Sequence, residues 1–349
     1  MATLVPGATD TVLPSAPAAA ETVPAAPATE TGVPADAEPG SAAAPTNSEL
    51  HAVSVKDTHP ESLSDTPAAP APAEKVEPEE PEPQNALTKQ FTDAEWTALK
   101  EFRKQLPDIL ADAYPDKKDA KTAPISMWGI ELNPSGGKSA KESVVLMKFL
   151  RARNLNVSEA REMLVSTLRW RQSFKLDEVM KEEFDEKLFG KVGNIYGKDK
   201  EGRPVVYNIY GGNTKEVFSD VQRFIRWRVQ FMEKSVMLLD FENTDQMIQV
   251  HDYEGVGLRS RDANSKNAAS EATSIFGSHY PELLYKKFFV NVPSLMTWVF
   301  WLFKPLMSAN TLAKMSVVGS GPHAIGKALL PHIDAKELPK RYGGEAPDF

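Results

Sequence analysis

The sequence predicts an α/β protein, with a helical N-terminal lobe packed on a lobe that holds a largely parallel sheet, and a disordered tail in front. Three observations predict it. Apolar residues recur at three- and four-residue steps from Phe91 to Phe174, and strand-like and helix-like stretches alternate after about residue 185. Residues 1–84 carry 15 of the 27 prolines and no Phe, Tyr or Trp. The expected division is a tail over 1–84, a helical lobe over 85–184 and an α/β lobe over 185–349.

The tail alternates Ala-Pro, Glu-Pro and Ser/Thr, and such a segment buries too little apolar surface to offset the entropy of ordering it. It shows neither the charged start and apolar stretch of a secretory signal nor the arginines of a mitochondrial presequence. It holds 14 acidic residues against two lysines, a net of -12, so a chain of net charge -8 leaves +4 on the remainder. The folded part is therefore mildly basic, compatible with an anionic membrane surface.

In the helical lobe, "FTDAEWTALKEFRKQLPDILADAY" opens with Thr92 as N-cap and Glu95 three residues later, the arrangement of a capping box. "SVVLMKFLRARNLNVSEAREMLVSTLRWRQSF" reads as two helices around a break at "NLNV"; the second places Ala160, Met163, Leu164, Thr167, Leu168 and Arg171 on one face. "NPSGGKSAK" is a loop. Beyond it, strands are expected at "GRPVVYNIYG", "QMIQVHDYEGV", "KKFFVNVP" and "AKMSVVG". Helices are expected at "DVQRFIRWRVQFMEKSVMLLDF", within "DANSKNAASEATSIFGSHYPELL" and at "SLMTWVFWLFKPLM". Helices between successive strands argue for parallel pairing.

Several classes of function are excluded. Without cysteine there is no disulfide, thiolate metal site or cysteine nucleophile, which fits a reducing compartment. The most apolar run, 286–307, is interrupted by Pro293 and Pro305, and the 11 residues between them are too few to span a bilayer. "SGGKS" lacks the first glycine of a phosphate-binding loop, since Leu132 stands there. "VVGSGPHA" satisfies a dinucleotide-type glycine pattern, but too little chain follows it for a strand-helix-strand unit, so it reads as a turn. No G-x-S-x-G or H-E-x-x-H pattern occurs, and the six histidines are scattered.

Six phrases in order, "LMKFLRARNLNVSEAREMLVSTLRWR", "YGKDKEGRPVVY", "HDYEGV", "YPELLYKKFFVNVP", "FKPLMSANTLAKMSVVG" and "LPKRYGGE", resemble the motifs of the CRAL-TRIO lipid-binding family, whose founding fungal members transfer phosphatidylinositol and phosphatidylcholine. The resemblance runs from about residue 91 to residue 345. It implies a deep apolar pocket floored by the sheet and gated by a mobile helix, here "SLMTWVFWLFKPLM", with a buried core helix as the alternative. It implies an inositol-phospholipid head-group site at Arg153, Glu282, Thr311 and Lys314. Two departures stand out: Asn154 where the family has a lysine, and Ser308 where it has an acid. Arg153 has a second reading, as partner of its own helix C-terminus, and Lys314 as a solvated charge.

His251 and Tyr253 flank the acid of "HDY", and residues two apart on a strand share a face. This wording resembles an atypical, haem-binding branch of the fungal phosphatidylinositol transfer proteins, in which that tyrosine ligates the iron. The resemblance implies haem b held non-covalently by Tyr210, Arg228, His251, Tyr253 and Lys287, with Tyr253 as iron ligand. The chemistry agrees: a phenolate is a hard anionic donor for ferric iron, it needs a nearby cation, and Arg228 and Lys287 suit the propionates. The competing reading is a hydrogen-bonded core pair.

The function expected is thus a phosphatidylinositol-binding and transfer protein that also binds haem. It would act in phosphoinositide homeostasis and oxidant stress, in the cytoplasm and peripherally on endoplasmic reticulum or microsomal membranes, without being an enzyme. The alternatives are a plain phosphatidylinositol carrier and, further off, a haem peroxidase or catalase.

Overall fold

The computed structural model describes residues 81–211, 214–257, 263–292 and 312–349. The tail before residue 81, the expected gating helix and Thr311 lie outside the described residues.

The helical lobe begins with α1 (Asp93–Lys104), whose capping box forms as the sequence predicts: the Thr92 hydroxyl accepts from the Glu95 amide while the Glu95 carboxylate accepts from the Thr92 amide. The periodic stretch is not one helix. Pro107 cannot donate to an ongoing ladder, so the chain turns at Gln105 and restarts as α2 (Leu106–Ala113) with the proline in its first turn. Two short strands that the periodicity does not announce, β1 (Ile125–Met127) and β2 (Ile130–Leu132), form a hairpin ahead of α3 (Ala140–Arg151). The expected break falls at Asn154 and Leu155, both at positive φ, and Asn156 caps α4 (Val157–Ser173). On α4 the predicted face is buried at Ala160, Met163, Leu164, Thr167 and Leu168. Short helices α5 (Leu176–Val179) and α6 (Glu186–Phe189) complete this part.

Five strands then pair in chain order: β3 (Gly193–Lys198), β4 (Pro204–Ile209), β5 (Met247–Asp252), β6 (Leu284–Val290) and β7 (Met315–Val317). β3, absent from the sequence reading, pairs antiparallel with β4 through a turn at Gly202; every later pair is parallel. Between them lie α7 (Thr214–Val217) and α8 (Val221–Val236), then α9 (Ala263–His279) before β6. After β7 the glycine-rich turn leads into α10 (Pro322–Leu329), again with proline in the first turn.

All six residues of β5 are buried, as expected of a central parallel strand covered on both faces. On one face Val205, Tyr207, Ile248, Val250, Phe288 and Val290 pack against Ile325, Leu329 and Leu338 of the C-terminal region. On the other side a single core runs from Phe91 to Leu283 and joins the helical lobe to α8 and α9. Residues 76–349 accordingly form one compact unit. Packing reaches back into the compositional tail, where the Glu82 carboxylate, 10% exposed, pairs with Arg103 at 2.9 Å and Lys138 at 3.2 Å.

Candidate functional site

The sheet register assembles the site. Cα partners across β4, β5 and β6 run Val206, Gln249, Lys287 and then Asn208, His251, Phe289. With a two-residue period, these rows share the face toward α8, and Tyr210 and Tyr253 continue it. Strand β5 ends at Asp252, one residue short of Tyr253, yet the Tyr253 amide still donates to the Val290 carbonyl at 3.0 Å. The Tyr210 ring lies 5.6 Å from His251 and 5.1 Å from Tyr253, which makes one aromatic group of the three. From α8, Arg228 comes in from the facing layer with its guanidinium 4.7 Å above the Phe276 ring of α9.

Between these residues polar groups outnumber what the protein satisfies. The Tyr210 hydroxyl shares a hydrogen bond of 2.9 Å with His251 Nδ1, and His251 Nε2 lies 3.3 Å from Gln249 Oε1 and 3.4 Å from Asn208 Nδ2. Burial, then Lys287 and Arg228, hold the His251 pKa well below its ordinary value, so the ring is neutral. Burial likewise pulls the Lys287 pKa down to about 8, with Arg228 adding to the effect. It also lowers that of Arg228. Arg228 Nη1 and Asn208 Oδ1 are buried without a hydrogen-bond partner. The Tyr253 phenol is pushed up, by burial first and Tyr210 second, and its hydroxyl makes no hydrogen bond among the described residues. Tyr210, Tyr253 and Lys287 nevertheless keep some accessible surface. Tyr253 also borders a cavity of about 370 Å³ lined by Glu254, Asn291, Gly321 and Arg341.

The acid between His251 and Tyr253 points the other way. Asp252 is fully buried on the opposite face and accepts from the Glu254 amide, Asn291 Nδ2, Arg341 Nη2 and the Tyr342 hydroxyl. The tripeptide thus splits its roles by strand geometry. Asp252 ties the C-terminal segment to the sheet while its neighbours join Tyr210 on the other face. Gly211 opposite is obligatory for the close approach, since a Cβ there would lie 1.7 Å from the Glu254 carbonyl oxygen.

Of the residues implied for a lipid head group, Glu282 and Lys314 are together, with Lys314 Nζ 2.8 Å from the carboxylate. Glu282 adopts positive φ, and its carbonyl accepts from the buried Lys148 Nζ at 2.9 Å. Arg153 is not joined to them; its Nη1 donates to the Ala152 carbonyl at the C-cap of α3, the alternative its sequence position suggested.

Sequence reasoning passed over three buried networks. Lys148 binds Asp245 at 2.7 Å; Arg171 of α4 grips Glu233 of α8, which also accepts from the Tyr280 hydroxyl; Asn208 and Gln249 are buried beside His251. A signal existed for the first two: Lys148 and Arg171 each stand on an otherwise apolar helix face.

Comparison with known proteins follows the same outline. Residues 98–166 match the CRAL/TRIO N-terminal domain and residues 188–344 the CRAL/TRIO domain. The phosphatidylinositol transfer protein sfh5 of Sclerotinia sclerotiorum is 38% identical over 268 residues, covering 72% of this chain and 62% of that protein. The protein of the same name from Candida albicans is 33% identical over 278 residues, 73% of this chain and 82% of its own length. Patellin-6 of Arabidopsis thaliana is 36% identical over 63% of this chain and 54% of its own. A crystal structure of Sfh5 superposes with a TM-score of 0.61 at 30% identity, over 73% of this chain and 88% of that one. The chain spans about three fifths of the length of the Sclerotinia relative.

Proposed function

Since the chain belongs to the CRAL-TRIO domain family, we propose that it binds and transfers phosphatidylinositol and also holds haem b above the sheet, with Tyr253 as iron ligand. The observation that carries the haem reading is the convergence of Tyr210, His251 and Tyr253 with two cations, Arg228 and Lys287, that have no carboxylate partner among the described residues. A core pair would leave the buried, unpartnered Arg228 Nη1 without a reason.

The donor set fits the group. Arg228 and Lys287 suit its two carboxylates, and Tyr253 offers a hard oxygen donor. When bound, the group supplies a ferric Lewis-acid and redox centre. The chain's own task is to let Tyr253 ionise against the penalty of burial. The positive field of Arg228 and Lys287 favours the phenolate, and the neutral His251 holds Tyr210 in place through the 2.9 Å hydrogen bond.

For the lipid, Glu282 just before β6 and Lys314 just before β7 offer an acceptor and a cation, suited to the hydroxyls and phosphate of an inositol head. A diacyl lipid leaves a bilayer slowly, because each methylene costs about 0.8 kcal/mol in water, and a protein cavity that shields the chains lowers that barrier. Among the described residues no helix is long and apolar enough to cross a membrane, and the proposed contact is peripheral.

An absorption spectrum with a pyridine haemochrome assay tests the first reading. A Soret band present in the parent and lost in Tyr253→Phe supports it; equal haem retention by both overturns the ligand assignment. Transfer of labelled phosphatidylinositol between vesicles tests the second. Lys314→Ala should slow it without changing the colour, and undiminished transfer removes Lys314 from the site.

A further inference from the structure

Where this fold buries a cation for structural reasons, it supplies an acid. Lys148 has Asp245 at 2.7 Å, Arg171 has Glu233 at 2.7 Å and Arg103 has Glu82 at 2.9 Å. Arg228 and Lys287 break the pattern. Arg228 is 5% exposed and makes no ion pair among the described residues, and the phenols of Tyr210 and Tyr280 lie near its charge. Lys287 makes no ion pair among the described residues, and the nearby charge that acts on its ammonium is Arg228. An uncompensated buried charge is expensive, and two of like sign on one pocket more so. The missing counter-charge therefore belongs to the ligand.

The surroundings specify the rest of that ligand. The Arg228 guanidinium faces the rings of Phe276 at 4.7 Å and Phe231 at 5.6 Å, and the Lys287 ammonium lies 6.0 Å from the Phe289 ring centre. Helix α9, which carries Phe276, presents Ala272, Ile275 and Phe276 partly buried against the core. The anion must reach a sheet floor. A phosphodiester is flanked by substituents on both sides and cannot end there, whereas a carboxylate terminates its chain and matches the planar guanidinium.

We infer that the pocket takes amphipathic carboxylates as a class, free long-chain fatty acids included, with the carboxylate on Arg228 and Lys287 and the apolar body against Phe276 and Phe289. The inference rests on the cation pair and needs no iron. A fatty acid and a porphyrin propionate present the same chemistry to these two residues, so the test carries both.

Full-length protein is titrated with cis-parinaric acid and its methyl ester, followed by fluorescence, and in parallel with metal-free protoporphyrin IX and its dimethyl ester. Each acid should bind at least about tenfold more tightly than its ester, and Lys287→Met should abolish that preference. Arg228→Met should do the same; if it fails to fold by circular dichroism, Lys287→Met alone carries the test. Equal binding of acid and ester, or no binding of parinaric acid in either form, overturns the inference. Discrimination confined to the porphyrin pair overturns it too, since the site is then specific for tetrapyrroles. Failure of the haem reading would show separately, as a Soret band indifferent to Tyr253→Phe.

Discussion

At Lys287 the ammonium stands on a sheet face among aromatic rings, with its pKa pulled from 10.5 to about 8 by burial and then by Arg228. The folded value lies below the unfolded one, so the empty protein gains stability as pH rises from about 8 toward 10.5 and carries the full cost of the charge below that window. Lys287→Met should therefore stabilise the ligand-free protein at pH 7 by on the order of 1–3 kcal/mol, read as a rise in urea midpoint at unchanged m-value. A fall in midpoint would mean that the ammonium has a partner. Tyr253→Phe removes a hydroxyl that makes no hydrogen bond among the described residues, so its cost in stability should stay within about 1 kcal/mol.

Among the elements, α4, α8 and α9 meet at one buried knot, where Arg171 makes two hydrogen bonds to Glu233 and the Tyr280 hydroxyl donates to the same carboxylate at 2.7 Å. Arg171→Met would strand Glu233 in the core and should cost about 3–5 kcal/mol in chemical denaturation; the double variant with Glu233→Met should recover most of it. The cap of α1 is a smaller matter: Thr92→Ala should cost about 1 kcal/mol. The α1 cap, the buried face of α4 and the parallel order of the sheet were legible because each is written in local spacing. The split of α1 from α2 was legible too, had Pro107 been given its weight. Strand β3 was hidden because "GNIYGK" carries two glycines and no regular alternation, and it is held in place by pairing with β4. The pocket was readable in part: the two-residue period placed His251 and Tyr253 together, but nothing local told that Asp252 would be claimed by Arg341 and Tyr342, some ninety residues on. Arg153 turned to its own helix end for the same reason, since the distant groups that would compete for it are invisible in a sequence.

For the molecule as a whole, acid should loosen the junction of helical lobe and sheet lobe. His279 of α9 stacks on Trp170 of α4 at 4.5 Å, and burial lowers its pKa from 6.5 to about 4. Since the folded pKa is the lower, its contribution is complete above pH 6.5 and drains as pH falls through that value toward about 4. His279 is only partly buried and solvent screens it, so stability should drop by no more than about 1 kcal/mol between pH 7 and pH 5, and His279→Gln should flatten that slope. The other end of the same unit is held by Glu82 and by Asn85, whose Nδ2 donates to the Phe241 carbonyl at 2.9 Å. A chain starting at residue 87 should accordingly melt at a lower temperature than one starting at residue 82.

The strict chain order of the five strands also bears on how the molecule comes into being at the ribosome. Each strand adds to the edge left by the one before, so the sheet can grow as the chain emerges, with no strand waiting to be threaded between two others. Asp252 is the exception to this smooth growth. It is laid down in the middle of the sheet with its carboxylate on the buried face, while Arg341 and Tyr342 are still unsynthesised. Until they arrive the carboxylate has only the Glu254 amide and Asn291 Nδ2 to answer it, and the docking of Arg341 and Tyr342 supplies the remaining hydrogen bonds and the counter-charge.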